Sequence, residues 1–305
     1  MLWLIWKQHR SEALVGALLV VVISIALINA AVSHSVISPL CVPCYHTNQL
    51  LSLEVIKRIL LQSFQWLLPL LVGVFVGAPL VTREWERHTY RLIWTQSITR
   101  NRWLAVKLGV IAGILMLVFT PLVVLSIWDY STAPQLGGNW ELFRLSRGVA
   151  LIGFGLFGLM LGVAIGTFVR RVVPAMALTV LVFLAVLIPL NYYSPYFIPP
   201  ISHLYPIRIS NNNGVVVPSD GLILDDGYAD SAGHDVGEIS TYCDFNATFT
   251  LFKQCLATHN LQWKVVYQPA NRVWLLQWVE LAVLLALSAA LVPLTYWRLR
   301  QRRES

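Results

Sequence analysis

An all-α membrane protein of six transmembrane helices, with a small external β-rich loop domain, is the fold class this sequence predicts. Three observations predict it. Hydrophobic residues fill 57% of the 305 positions and charged residues only 12%, whereas soluble chains carry about 25% charged residues. Six runs are long enough to cross about 30 Å of hydrocarbon, which takes around 20 apolar residues in a helix that satisfies its own backbone hydrogen bonds. Lys and Arg gather in alternate connecting segments, the asymmetry that orients spans with their basic loops inside.

Residues 1–12 place Trp3 and Trp6 on one helical face and Lys7 and Arg10 on another, which predicts an interfacial elbow helix in the headgroup plane. The first span is 13–32. It is too long, and lacks the small-residue cleavage site, to be a removable signal peptide. An external loop (33–58) leads to the second span (59–81), a charged cytoplasmic segment (82–107) and the third span (108–128). A second external loop (129–147) carries the turn signal Gly137-Gly138. The fourth span (148–169), a cytoplasmic turn (170–171) and the fifth span (172–191) follow. The largest external segment (192–272), the sixth span (273–297) and a cytoplasmic tail (298–305) complete the chain.

With the N-terminus inside, Lys7, Arg10, Arg83, Arg87, Arg91, Arg100, Arg102, Lys107, Arg170, Arg171, Arg298, Arg300, Arg302 and Arg303 are cytoplasmic, fourteen of the 22 basic residues. Only Glu12, Glu84, Glu86 and Glu304 among the acidic residues join them. A net charge of +7 distributed this way is answered by lipid headgroups and requires no nucleic acid partner.

All four cysteines, Cys41, Cys44, Cys243 and Cys255, fall in segments assigned to the outside, the oxidising face on which disulfides persist. Cys243 and Cys255 are disulfide candidates that would close a short loop, adding about 3 kcal/mol of order by chain-entropy reasoning. Cys41 and Cys44, in CVPC, read as a structural disulfide; a redox dithiol and a metal site completed by His34 and His46 are the competing readings. In the largest external segment, residues 214–217 and 222–224 are apolar or β-branched runs separated by Pro218, Asp220 and Gly221, a hairpin signal. Asp225, Asp226, Asp230, Asp235 and Glu238 lack EF-hand spacing and read as a solvated acidic face before a calcium site.

Glu280, about two turns into the sixth span, is the single Lys, Arg, Asp or Glu within the predicted spans. It reads as an interfacial carboxylate, hydrated or paired with the external segment, with substrate handling as the alternative. Gly73 and Gly77, and Gly158, Gly162 and Gly166, form rows of four-residue spacing that let helix backbones approach closely. The spacing is silent on whether the neighbour belongs to the same chain.

The segment 82–107 is the most distinctive. Trp85, Leu92 and Ile93 recur at helical spacing while Arg83, Glu86, Arg87 and Arg91 take other faces, which predicts an amphipathic helix of about three turns. Residues 95–99 read as a turn, with Thr99 as N-cap of a helix leading through Arg102 and Lys107 into the third span. Glu84 and Glu86 are badly placed against an anionic leaflet, so they point toward a protein.

The WKQHR elbow, the run GAPLVTREWERHTYRLIWTQSITRNRWLAVKLG, the RR-x-x-PA turn at 170–175, the stretch DGYADSAG and the closing YQPANRVWLLQWVE together resemble the permease subunits of bacterial ABC transporters. The likeness is to the type 2, exporter-type permeases of actinobacteria and related Gram-positive lineages, over nearly the whole chain. It implies a plasma-membrane transport subunit, not an enzyme, paired with a second permease and driven by cytoplasmic ATPase subunits that bind ATP and Mg. This chain itself would hold no cofactor or metal. The resemblance implies ATPase-coupling contacts at Arg83, Glu84, Glu86, Arg87, Arg91, Thr95, Gln96, Ser97, Arg100 and Arg102, and makes Glu280 a candidate for the pathway. The sequence carries no GxxxxGK[ST] phosphate loop, as expected of a permease. CVPC and Asn211–Asn213 lie outside the family pattern. Two other classes compete: a membrane thiol oxidoreductase using the external cysteine pairs, and a membrane-anchored binding or sensory protein in which the charged segment is idle.

Overall fold

The computed structural model describes residues 25, 65–86, 100–132, 148–169, 171–205, 221–237, 242–243 and 249–301. The predicted elbow, the first span apart from Ile25, and the first external loop, with Cys41 and Cys44, lie outside the described residues. So do Arg87, Arg91, Thr95, Gln96, Ser97, Glu238 and the run 214–217. Among the described residues five helices are long and apolar enough to cross a membrane, at Gln65–Arg83, Arg102–Trp128, Ala150–Phe168, Val172–Tyr196 and Ala270–Arg298. The protein is mostly helical and divides into two units, Met1–Tyr192 with Gln277–Ser305, and Tyr193–Leu276.

In the first unit, α1 (residues 65–86) contains a π-helical turn, Val72–Gly77, and continues as Ala78–Glu86. The other helices are α2 (Arg100–Thr132), α3 (Ala150–Phe168) and α4 (Val172–Tyr193), and α6 (Val273–Gln301) begins in the second unit and ends here. In water the five glycines of α3 would each cost about 1 kcal/mol of helix stability. In lipid a backbone has no partner but itself, so the helix persists and the glycines are free to set packing.

Each glycine of α3 admits a different neighbour. A Cβ on Gly158 would meet the carbonyl oxygen of Pro69, and one on Gly166 would stand 2.8 Å from the carbonyl oxygen of Ala78, both in α1. On the α1 side, a Cβ on Gly73 would lie 2.7 Å from Gly158 O, and one on Gly77 would lie 2.7 Å from Leu159 O. Gly155 receives the ring of Phe119 from α2, while Gly153 receives Leu281 and Leu284 of α6. Phe183 of α4 stands against Phe157 of α3, with ring centroids 5.9 Å apart. The hub of the unit is therefore α3. The two glycine rows meet within one chain, and the π turn of α1 lies along this seam, bringing Gly73 O and Gly77 against Gly162.

Buried hydroxyls in these helices satisfy themselves. Thr82, Ser126, Thr167, Thr179, Ser288 and Thr295 all donate to carbonyls three or four residues back in their own helices. Two amides reach across helices instead: Gln65 meets Ser126 at 3.4 Å, and Gln277 Oε1 accepts the N–H of Ala150 at 3.4 Å. The second contact satisfies an orphan donor at the start of α3. On α6, exposed Trp278 and Trp297 stand about 28 Å apart along the axis, close to the hydrocarbon thickness at which aromatic belts form.

The second unit is built on an antiparallel sheet of three strands in the order β1-β3-β2. Here β1 (Ile201–Tyr205) and β2 (Gly221–Ala229) flank the central β3 (Gln262–Pro269). The register runs Ile201↔Tyr267 to Tyr205↔Trp263 on one side and Gly221↔Pro269 to Ala229↔Gln262 on the other, with a bulge between Ile223 and Asp225. Residues 222–224 of the predicted hairpin lie in β2, whose partner among the described residues is β3, some forty residues downstream; the other arm, 214–217, lies outside the described residues.

Between β2 and β3 lies α5 (Phe249–Thr258), which ends in a Schellman motif. Asn260 takes φ 48°, Leu261 N–H reaches Leu256 O at 3.0 Å, and Asn260 N–H reaches Ala257 O at 3.2 Å. Leu256 and Leu261 then join Cys243 in a small buried cluster. A disulfide links Cys243 to Cys255 of α5, with Cα atoms 5.9 Å apart. The buried amide of Gln268 donates to Pro195 O and Ile198 O, and Arg272 donates to Pro199 O at 2.8 Å, so the first and last segments of the unit are stitched together.

Candidate functional site

The apolar run of α1 stops at Val81, yet the helix continues to Glu86. The helix α2 likewise begins at Arg100, well before the apolar run that starts at Leu108. Both helices therefore extend into the charged segment 82–107, the first by more than one turn and the second by about two. Leu80 and Val81 of α1 and Leu104 of α2 belong to one buried core cluster, which also includes Leu159 and Val163 of α3. Lys107 is 3% exposed and its Nζ lies 4.7 Å from the centre of the Trp103 ring, a cation–π geometry that suits a cation shielded from water.

Glu86 is exposed, and its Oε1 accepts the backbone N–H of Val172, the first residue of α4, at 2.8 Å. A carboxylate there satisfies an orphan donor and meets the positive end of the α4 dipole. From the sequence Glu86 reads as a residue facing another protein. The structure gives it a partner 86 positions further along its own chain. Arg102 and Arg171 are exposed and Arg83 is half-buried. Glu84 and Arg100 lie in the helical extensions. At the C-terminal end of α3, close in sequence to Val172, Phe168 stacks against Arg298 of α6, whose guanidinium lies 5.3 Å from the ring centre and donates to Gln301 at 3.3 Å.

Glu280 is 5% exposed, which departs from the hydrated form of the interfacial carboxylate read from the sequence and leaves the paired form. It stands between Gln277, bonded to α3, and Leu284, packed on Gly153, and spacings of three and four residues put all three on one face of α6. Among the described residues no group of three or more His, Cys, Asp or Glu is arranged to hold a metal ion. Two residues of the acidic stretch of the second unit are engaged. Asp235 pairs with Lys264 at 2.8 Å, and Asp230 Oδ1 accepts the N–H groups of Ala232 and His234 at 2.9 Å. The N–H of His234, then the His234 side chain and the N–H of Ala232, hold the Asp230 carboxyl below the usual carboxylate range. Asp225 and Asp226 are exposed on β2.

Sequence reasoning missed the Glu86 and Gln277 contacts, as it missed β1, β3 and α5. For the strand there was a signal, the alternating aromatic and β-branched residues of QWKVVYQP. For the helix contacts there was none, because nothing local marks a partner so far along the chain.

What this geometry provides is mechanical: spans that extend past their apolar lengths, and backbone contacts that tie them to one hub. Residues 13–193 match the family model described as ABC-2 membrane transporter related. The chain belongs to that family. It is thus a multi-pass membrane permease of the ABC transporter type, and such permease components are generally not enzymes themselves. No curated protein and no solved structure matches it. The matched part of the permease ends at Tyr193, where the second unit begins. The glycine seam and the Glu86 contact fall inside the match; the sheet, the disulfide and α6 fall outside it.

Proposed function

We propose that this permease is an export subunit of a bacterial plasma membrane, pairing with a second permease subunit to line a pathway and driven by two cytoplasmic ATPase subunits that bind ATP and Mg. In this reading both termini and the segment 82–107 are cytoplasmic, and the second unit is external. The observation that carries it is the unbroken continuation of α1 through Glu86 and of α2 from Arg100. A stiff extension of a span is what a soluble motor needs in order to move a membrane helix. The Cys243–Cys255 bond supports an external second unit, since disulfides persist on the oxidising side. Burial of Glu280 against the α3-facing side of α6 favours a packing role over contact with cargo.

In this reading Glu84, which lies in the extension, meets a basic surface on the ATPase. An exposed ion pair contributes only about 0–1 kcal/mol, whereas reversing its charge places repulsion at the contact. The test is ATP hydrolysis by the complex reconstituted in lipid. Glu84→Lys lowers the permease-dependent part of the rate, and a basic-to-acidic change on the ATPase restores it. A rate unaffected by Glu84→Lys removes this carboxylate from the coupling path.

A further inference from the structure

We infer that Glu86 is a positioning residue that makes the start of α4 move with α1, so that displacement of the segment after α1 is delivered to α4 as well. The inference rests on the reading of 82–107 as the coupling element. Three links close a frame. Along the seam α1 and α3 touch backbone to backbone, at Gly73 with Gly158, Gly77 with Leu159 and Ala78 with Gly166, leaving no side-chain layer to yield between them. The short turn after Phe168 joins α3 to Val172. The Glu86 carboxylate, on the Val172 N–H at 2.8 Å, supplies the third side.

That third side is the one on which α4 depends. Packing inside the unit buries most of α3 but leaves most of α4 uncovered, so α4 is guided chiefly by its ends. A single charge-assisted bond to its first amide, reinforced by the helix dipole, sets whether the start of α4 follows α1 or swings on the turn. Because the bond is exposed, it is also the link most easily broken without unfolding the seam.

Hydrogen exchange on the permease in lipid nanodiscs tests the bond without any ATPase. Amides 172–176 exchange roughly fivefold faster in Glu86→Ala than in the native protein, the size of a lost helix cap. Glu86→Gln, whose amide oxygen still accepts, keeps most of the protection. Equal exchange in all three proteins overturns the inference. A second arm adds the ATPase subunits with ATP and vanadate. Native protein then changes its exchange at both 78–86 and 172–176, Glu86→Ala changes at 78–86 alone, and Glu86→Gln recovers both. A nucleotide response at 172–176 that is undiminished in Glu86→Ala overturns the inference while leaving the coupling reading intact. No response at 78–86 in the native complex overturns the coupling reading and the transmission role with it, and the first arm still decides whether Glu86 holds α4.

Discussion

Replacing Gly162 by Ala loads the α1–α3 seam at its tightest point. A methyl group there collides with the carbonyl oxygen of Gly73 and stands 2.7 Å from Ala78 N and 2.9 Å from Gly77 C. All three are backbone atoms of α1, so no side chain can swing aside. The helices must part by something on the order of 1 Å, and parting also thins the contacts at Gly73 and Gly166. Overpacking of this kind costs about 1–3 kcal/mol. Against it stands the better helix propensity of Ala, about 1 kcal/mol, so the net expectation is a loss of about 0–2 kcal/mol. Gly113→Ala on α2 is the matched control, because a Cβ there meets nothing within 4 Å and only the propensity term remains. Unfolding in mixed detergent and SDS, followed by tryptophan fluorescence, reads both variants on one scale. Gly162→Ala as stable as Gly113→Ala would refute the backbone-contact account of the seam.

Three further expectations concern the second unit and its side of the membrane. Mass spectrometry without reduction shows the Cys243 and Cys255 peptides linked, and replacing both with Ser loosens the α5 cluster by up to about 3 kcal/mol while unit-one spans stay folded; free thiols in fresh membranes contradict this. A cysteine reporter at Asp226 reacts with an impermeant reagent added outside intact cells and one at Arg300 does not, whereas the opposite pattern inverts the orientation. The Asp230 turn gives a pH signature. Its carboxyl is held below the usual range by the N–H of His234 above all, so the turn keeps its full stability above the unfolded carboxylate pKa of about 4 and loses it as pH falls through the lower folded value. Amide protection at Ala232 and His234 that survives well below that range would show that ionised Asp230 does not hold the turn.

Apolar runs made the membrane helices legible because lipid leaves a long uncharged segment one choice of structure. Their ends were less legible. Apolarity marks the bilayer and not the helix, so the runs ending at Val81 and beginning at Leu108 sit inside helices that continue to Glu86 and start at Arg100. Glycine spacing signals close packing, but which backbone fills the space is a tertiary fact. The strand at Leu222–Leu224 was visible, while its partner was not, since pairing with β3 spans α5 and the disulfide loop. Glu86 is the sharpest case. Composition says that an acidic residue beside a membrane wants a partner, and only the fold says that the partner is the first amide of α4.

A permease moved by a separate motor is tested most directly by ATP hydrolysis by the purified ATPase subunits in lipid vesicles with and without this chain. The expected result is that the chain binds the ATPase subunits to the membrane and changes their hydrolysis rate, and that Glu84→Lys diminishes the change. A rate identical with and without the chain, under conditions where both proteins are folded, would contradict it.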